Sequence, residues 1–237
     1  MQNLSRQLNR VFVTGDIHGD WRDLTYRVDR IPDASKDDLL IVLGDCGFFY
    51  YHYYGNTKKD YEFQDYAANL PITILCIQGN HEVPFKEMPA ERIKLLGGDG
   101  YESHGLYFAE NGTELIINGK KCLVVGGAYS VDKEIRLLRK YSWWENEELS
   151  DEELAAIEKR VAGKSYDYVF THTCPFSKLP REVFLSEVDQ SKVLNRTEKS
   201  LERIMNSITF DKWYCGHFHT DKVDGDVIFL FGGIRVI

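Results

Sequence analysis

Three apolar runs in the first third of the chain end in the same way, and that repetition limits what the polypeptide can become. Val11-Phe12-Val13-Thr14 leads into Gly15-Asp16-Ile17-His18-Gly19. Leu39-Leu40-Ile41-Val42-Leu43 leads into Gly44-Asp45, and Pro71-Ile72-Thr73-Ile74-Leu75-Cys76-Ile77 leads into Gly79-Asn80-His81-Glu82. Short, continuously apolar runs bounded by turn residues read as strands covered on both faces, which is the signature of parallel sheets. Between them lie helical spacings. Trp21, Leu24, Val28 and Ile31 form the first, closed by Pro32, and about Lys58 to Asn69 form the second. The alternation predicts a βαβαβ start and a largely parallel sheet. Ligands of such sheets gather beyond the carboxyl ends of the strands, where each glycine-plus-polar turn falls. Asp16 and His18, two residues apart at the first of these ends, project the same way and make a natural pair of metal ligands.

From Gly105 the texture changes. Leu106 to Ala109, Glu114 to Ile117, an Asn118-Gly119 turn and Lys121 to Val125 predict antiparallel strands in a second sheet. Residues 131–165 are charged and read as a helical insertion, with Ser150-Asp151-Glu152-Glu153 as a capping box. A strand at Tyr166 to Phe170 delivers His172. A helix from about Thr197 to Ile208 precedes Lys212 to Cys215, which delivers Gly216-His217-Phe218-His219, and two strands around Asp224-Gly225 close the chain. No linker or repeat divides the 237 residues, so the expectation is a single domain over 1–237.

Composition excludes several classes of protein. No apolar run approaches the roughly 18 residues of a membrane span, and the polar stretch Met1 to Arg10 has no secretory leader pattern. The five cysteines, Cys46, Cys76, Cys122, Cys174 and Cys215, are scattered and odd in number, as suits free thiols in a reducing cytoplasm. A net charge of −8 argues against extended nucleic-acid binding. It leaves room for a phosphate where metal ions supply the positive charge.

The strand ends collect Asp16, His18, Asp45, Asn80, His81, His172, His217 and His219, which include five of the seven histidines. Oxygen and nitrogen ligands without clustered thiolates suit Mn, Fe or Zn, with Mn favoured. The set is large enough for two ions. A carboxylate such as Asp45 can bridge cations held about 3.5–4 Å apart. Two divalent ions less two carboxylates leave a formal charge of about +2, which favours a phosphate anion as substrate. Water acidified by a metal would be the nucleophile.

In this order, Gly15-Asp16-Ile17-His18-Gly19, Gly44-Asp45, Gly79-Asn80-His81-Glu82, Thr171-His172 and Gly216-His217-Phe218-His219 resemble the five blocks of the calcineurin-like metallophosphoesterase superfamily. The resemblance implies a four-layer α/β/β/α sandwich, with two mixed β-sheets flanked by helices, around a dinuclear centre. It implies one metal on Asp16, His18 and His219, a second on Asn80, His172 and His217, and Asp45 between them. His81 would serve catalysis beside the phosphoryl group. The first and third blocks lean towards the Ser/Thr protein phosphatase branch, whose second block usually continues as Gly-Asp-x-Val-Asp-Arg-Gly. Here Phe48 stands where the carboxylate orienting the catalytic histidine would be, and Phe49 where the phosphate-gripping arginine would be. Arg22, Arg181 and Arg196 are the candidates to replace that arginine.

The expected activity is that of a metal-dependent phosphoric ester hydrolase, a phosphomonoesterase acting by direct attack of metal-bound hydroxide. The substrate would be a small phosphate ester, a nucleotide or a phosphoprotein. Phosphodiesterase or nucleotide pyrophosphatase activity is the alternative, and a non-catalytic protein-interaction scaffold is a second. Tyr50, Tyr51, Tyr53 and Tyr54, with His52 among them, either pack on one another or stack a base.

Overall fold

A computed structural model describes residues 7–186 and 188–237, so most of the Met1 to Arg10 stretch lies outside the described residues. The fold is set by how strictly the apolar runs alternate. In β2 (Leu39–Val42) and the residue after it, Leu39, Ile41 and Leu43 face one core while Leu40 and Val42 face another. Both sets are fully buried, so the strand must be covered on both sides. β1 (Val11–Thr14) and β3 (Thr73–Cys76) flank it in parallel register. Leu24 and Val28 of α1 (Trp21–Asp29), with Ala67 of α2 (Thr57–Asn69), pack against the outer face of these strands. Asp20 caps α1 by accepting from the backbone N–H groups of Arg22 and Asp23.

The strands after α2 divide between two sheets. β4 (Glu91–Leu95), β5 (Gly98–Ser103) and β6 (Leu106–Ala109) extend the first sheet, in the order β4-β5-β6-β3-β2-β1. β6 thus lies parallel to β3 and not in the second sheet as its sequence neighbourhood predicts. The reason is burial: Leu106 and Phe108 pack under the first helical layer, while Tyr107 and Ala109 face the space between the sheets. β4 is the edge strand, and its outward Glu91, Arg92 and Lys94 disguise it in the sequence while protecting the edge.

β7 (Glu114–Ile117) and β8 (Lys120–Val125) form the predicted Asn-Gly hairpin. They begin the second sheet, which β9 (Ser165–Thr171), β10 (Thr209–Cys215), β11 (Lys222–Asp224) and β12 (Val227–Phe229) complete. Its order is β11-β12-β10-β9-β8-β7, with β8, β9, β10 and β12 parallel.

α3 (Lys133–Arg139) buries no side chain, whereas α4 (Asp151–Val161) carries the predicted capping box between Ser150 and Glu153. Leu154, Ile157 and Val161 of α4 and Leu201 and Ile204 of α5 (Arg196–Ser207) cover the outer face of the second sheet. The result is four layers, helices, sheet, sheet, helices, with a separate apolar core at each junction. Among the described residues no helix is long and apolar enough to cross a membrane.

The chain ends by crossing back. β13 (Ile234–Val236) leaves the second sheet and pairs antiparallel with β1 in the first. Arg27 of α1 ties that crossover to the tip of β1. Its guanidinium is buried and donates to Thr14 Oγ1 (2.7 Å), the carbonyls of Gly15 (3.1 Å), Asp16 (2.8 Å) and Phe231 (2.7 Å), and Asp23 Oδ2 (2.5 Å). Arg27→Met leaves several of these acceptors buried without a donor, at about 1–3 kcal/mol each. It is expected to lower the unfolding free energy in urea by about 3 kcal/mol, against about 0.5 kcal/mol or less for the exposed Arg22→Met.

Candidate functional site

The carboxyl ends of β1, β2, β3, β9 and β10 meet where the two sheets face each other, and every predicted site residue emerges there. Asp16 and Asp45 organise the meeting, each dividing its two oxygens between different tasks. Asp16 Oδ1 accepts from the backbone N–H of His217 (2.9 Å), and Asp45 Oδ1 accepts from those of Asn80 (2.8 Å) and His81 (2.9 Å). The second oxygens face imidazoles. Asp16 Oδ2 is buried, with His219 Nε2 at 3.3 Å and His18 Nε2 at 3.7 Å, and no partner aligned for a hydrogen bond. Asp45 Oδ2 has His172 Nε2 at 3.5 Å, His81 Nε2 at 3.8 Å and His18 Nδ1 at 3.9 Å.

Two sets of ligand atoms lie within 4.8 Å of one another, Asp16 with His18 and His219, and Asp16 with Asp45 and His172. Asn80 Oδ1 adds to the second set at 2.8 Å from His172 Nε2, and the His217 ring stands edge-on to that of His172, 5.0 Å away. A buried carboxylate oxygen without a donor, ringed by imidazole nitrogens, fits divalent cations.

The backbone is bent to reach this arrangement. His18, Asp45, His217 and His219 all have φ between 46° and 67°, the left-handed region that non-glycine residues seldom occupy. Two glycines make room. Gly44 has φ 94°, and a Cβ there would lie 2.2 Å from His172 Nδ1, while one on Gly216 would lie 2.4 Å from Asp16 Oδ1.

Electrostatically the centre calls for positive charge. Burial opposes ionisation of Asp45, yet His81, His172 and His18 hold its carboxyl well below the usual range. Burial likewise opposes charge on His172, but Asp45 and Asp16 raise it to about 9. His217, by contrast, is pushed down to about 3 by burial and by the neighbouring His172, which keeps its ring neutral and able to ligate. His172 Nδ1 donates to the carbonyl of Leu43 (2.7 Å), so Nε2, which meets Asn80 Oδ1 at 2.8 Å, is the nitrogen that would give up its proton to ligate a cation.

Three supports around the centre were not legible as such. Asn80 Nδ2 donates to Ser130 Oγ (2.9 Å), and Ser130 donates to Glu147 from both Oγ (2.5 Å) and its backbone N–H (2.8 Å), which turns the Asn80 oxygen inward. Glu82 joins the second and third strand ends, accepting from Cys46 Sγ (2.8 Å), Gly47 N–H (3.0 Å) and Gly79 N–H (3.0 Å). Burial and the nearby Asp45 raise its carboxyl to about 7. Arg136 of α3 donates from Nη2 to His81 Nε2 (3.1 Å), with its own Nε on Asp132 Oδ1 (2.7 Å) and Nη1 on the Ser142 carbonyl (3.1 Å). Burial, Arg136 and His18 lower the pKa of His81 against the pull of Asp45. The signal available in the sequence was β8, a further apolar run ending in Gly126-Gly127, after which Ser130, Asp132 and Arg136 follow within ten residues.

The arginines expected near the phosphate do other things. Arg196 pairs with Glu148 at 3.4 Å, Arg181 lies over the Phe176 ring, and Arg22 is exposed on α1. Phe48 and Phe49 are buried in the first core against Phe108. The tyrosine loop packs on itself and on Trp144, with the Tyr53 and Trp144 rings 5.3 Å apart, as the simpler of its two readings has it.

No curated protein matches the chain. The family profile described as calcineurin-like phosphoesterase matches residues 9–221. That span takes in every strand end at the centre, from the approach to β1 to the turn beyond His219, and the chain belongs to the calcineurin-like phosphoesterase family.

Proposed function

We propose that the protein is a dinuclear metal-dependent phosphomonoesterase. The observation that carries this reading is the gathering of His18, His172 and His219 around the buried Oδ2 atoms of Asp16 and Asp45, with Asn80 Oδ1 and the His217 ring against His172 and with Arg136 on His81 beside them. Asp16, His18 and His219 would hold one ion and Asn80, His172 and His217 the other, with Asp45 shared. Bound there, two divalent cations, Mn in the first instance, supply the charge that attracts a phosphate and the Lewis acidity that activates water at neutral pH.

The chain's own residues position and protonate. Arg136 takes over both functions that Phe48 and Phe49 leave open. It fixes the His81 ring through Nε2 and brings a guanidinium beside the centre, where a non-bridging phosphate oxygen can accept from it. A monoester has one more unsubstituted oxygen than a diester for that guanidinium to grip, which favours monoesters. His81 is kept neutral until an anion arrives. A phosphate dianion beside it raises its pKa and draws the Arg136 guanidinium onto its own oxygens, which frees Nε2 to take up a proton that the imidazolium can pass to the departing alkoxide. The five cysteines are all free and buried, which supports a reducing compartment such as the cytoplasm.

The direct test compares p-nitrophenyl phosphate with bis-p-nitrophenyl phosphate on Mn-loaded protein, with chelated protein as control. A monoester preference of about tenfold or more, lost on chelation, is expected. A diester preference overturns the phosphomonoesterase reading, and activity that survives complete metal removal overturns the two-metal reading.

His81→Ala is expected to keep its metal and lose about 10²–10⁴ in kcat. Asp45→Asn is expected to lose metal and activity together, as metal analysis alongside kinetics would show. Arg136→Met should lower kcat by about 10²-fold at unchanged metal content, with partial recovery in Arg136→Lys. An unchanged kcat in Arg136→Met would remove the arginine from the reaction.

A further inference from the structure

A cavity of about 360 Å³ opens directly from the centre, near the lower end of the range of about 300–1,000 Å³ for small-molecule sites. One end is the centre itself, with Asp45, Asn80, His81, His217 and His219 in its wall. Most of the remaining lining is apolar, with Leu179, Val183, Phe184, Leu185, Val188 and Phe218 in it beside the polar Gln190 and Asn195. The two join without a gap, because Phe218 sits in the chain between His217 and His219. Its ring lies nearly parallel to Phe184, at 19° with centroids 6.4 Å apart, and packs edge-on to the buried Phe229 at 6.0 Å. Val183 and Leu185 are 38% and 58% exposed, so apolar side chains at the mouth face a space that the protein itself does not fill.

Charge narrows what could fill it. No Lys or Arg is among the residues lining the cavity, and the acidic groups there are Asp45, Asp132 and Glu198. A second phosphate or a carboxylate buried among these apolar side chains would find no Lys or Arg in the lining to pair with. Glu198 is buried on α5, where Oε1 accepts from Thr173 Oγ1 (2.8 Å). The tyrosine loop contributes nothing to this lining.

We infer that this cavity binds the leaving group of the substrate, and that this group is a compact aromatic alcohol carrying no second anion. The inference rests on the proposed phosphate site and extends it from reaction type to substrate class. It disfavours nucleoside di- and triphosphates and acidic phosphopeptides. Substrate enters with its phosphate between His81, Arg136 and the ligand side chains and its ring against Phe218 and Phe184.

Binding without turnover separates the cavity from the chemistry. Calorimetry on Mn-loaded protein would compare methylphosphonate, benzylphosphonate, 4-(aminomethyl)benzylphosphonate and 4-carboxybenzylphosphonate. Benzylphosphonate is expected to bind about tenfold or more tightly than methylphosphonate, as burial of a phenyl ring requires. The aminomethyl compound should bind at least as tightly as benzylphosphonate, and the carboxy compound about tenfold more weakly. Leu185→Asp, an exposed position, is expected to reduce the benzyl-to-methyl affinity ratio by about fivefold. Equal affinities for methyl and benzyl, or a carboxy compound bound as tightly as the aminomethyl one, would overturn the cavity assignment while leaving the phosphate site standing. Failure of methylphosphonate itself to bind would overturn the phosphate site, and the cavity assignment with it.

Discussion

Asp16 and Asp45 each hold a piece of backbone with one carboxylate oxygen and face a cluster of imidazoles with the other, and the rest of the site is arranged around that division. Taking two carboxylates out of water costs several kcal/mol each unless the protein compensates them. Part of the compensation comes from backbone N–H groups of His217, Asn80 and His81, the residues that must be placed for function. The loops at the strand ends are therefore positioned by the same groups that need a cation. The left-handed backbone at His18, Asp45, His217 and His219 is the conformational cost of turning each strand end towards those oxygens.

How far the sequence could be read depended on whether a feature lay in one stretch or between two. The apolar runs ending in glycine and a ligand-type residue placed β1, β2, β3, β9 and β10 and all eight candidate residues, because strand burial and turn chemistry are local. The capping box at Ser150 and the Asn118-Gly119 hairpin were legible for the same reason. β4 was hidden because an edge strand buries only alternate residues, and its Glu91, Arg92 and Lys94 resemble a loop. The sheet that β6 joins is decided by which cores Leu106 and Ala109 enter, which no window around residue 106 contains. The supports of the site are likewise non-local: Glu82 reaches back to Cys46 and Gly47, and Arg136 reaches His81 across 55 positions of chain.

On the function proposed above, Phe48 and Phe49 mark a site whose charged groups stand elsewhere in the chain. Two positions where the protein phosphatase branch carries charge have become core, packed against Phe108, and the first helical layer is drier for it. The cation beside His81 comes instead from α3, a helix that buries nothing and is held through Arg136, Asp132 and Ser142. The apolar cavity borders the same centre, so leaving-group binding and the cationic side of the site rest on different loops. They can vary independently.

The carbonyl of Leu43, at the end of β2, accepts the Nδ1 proton of His172, at the end of β9, across 129 positions of chain and from one sheet to the other. This contact sits at the bottom of the candidate centre, so the centre is also a rivet between the two halves of the molecule. Ligand groups drawn from Asp16 to His219 exist together in no partly folded chain, and cations that bind them bind the native state alone. Mass action then applies: each tenfold rise in free ion above its dissociation constant adds about 1.4 kcal/mol to the native state. The metal supply of the cell would in that way set how much of this protein persists as well as how fast it works.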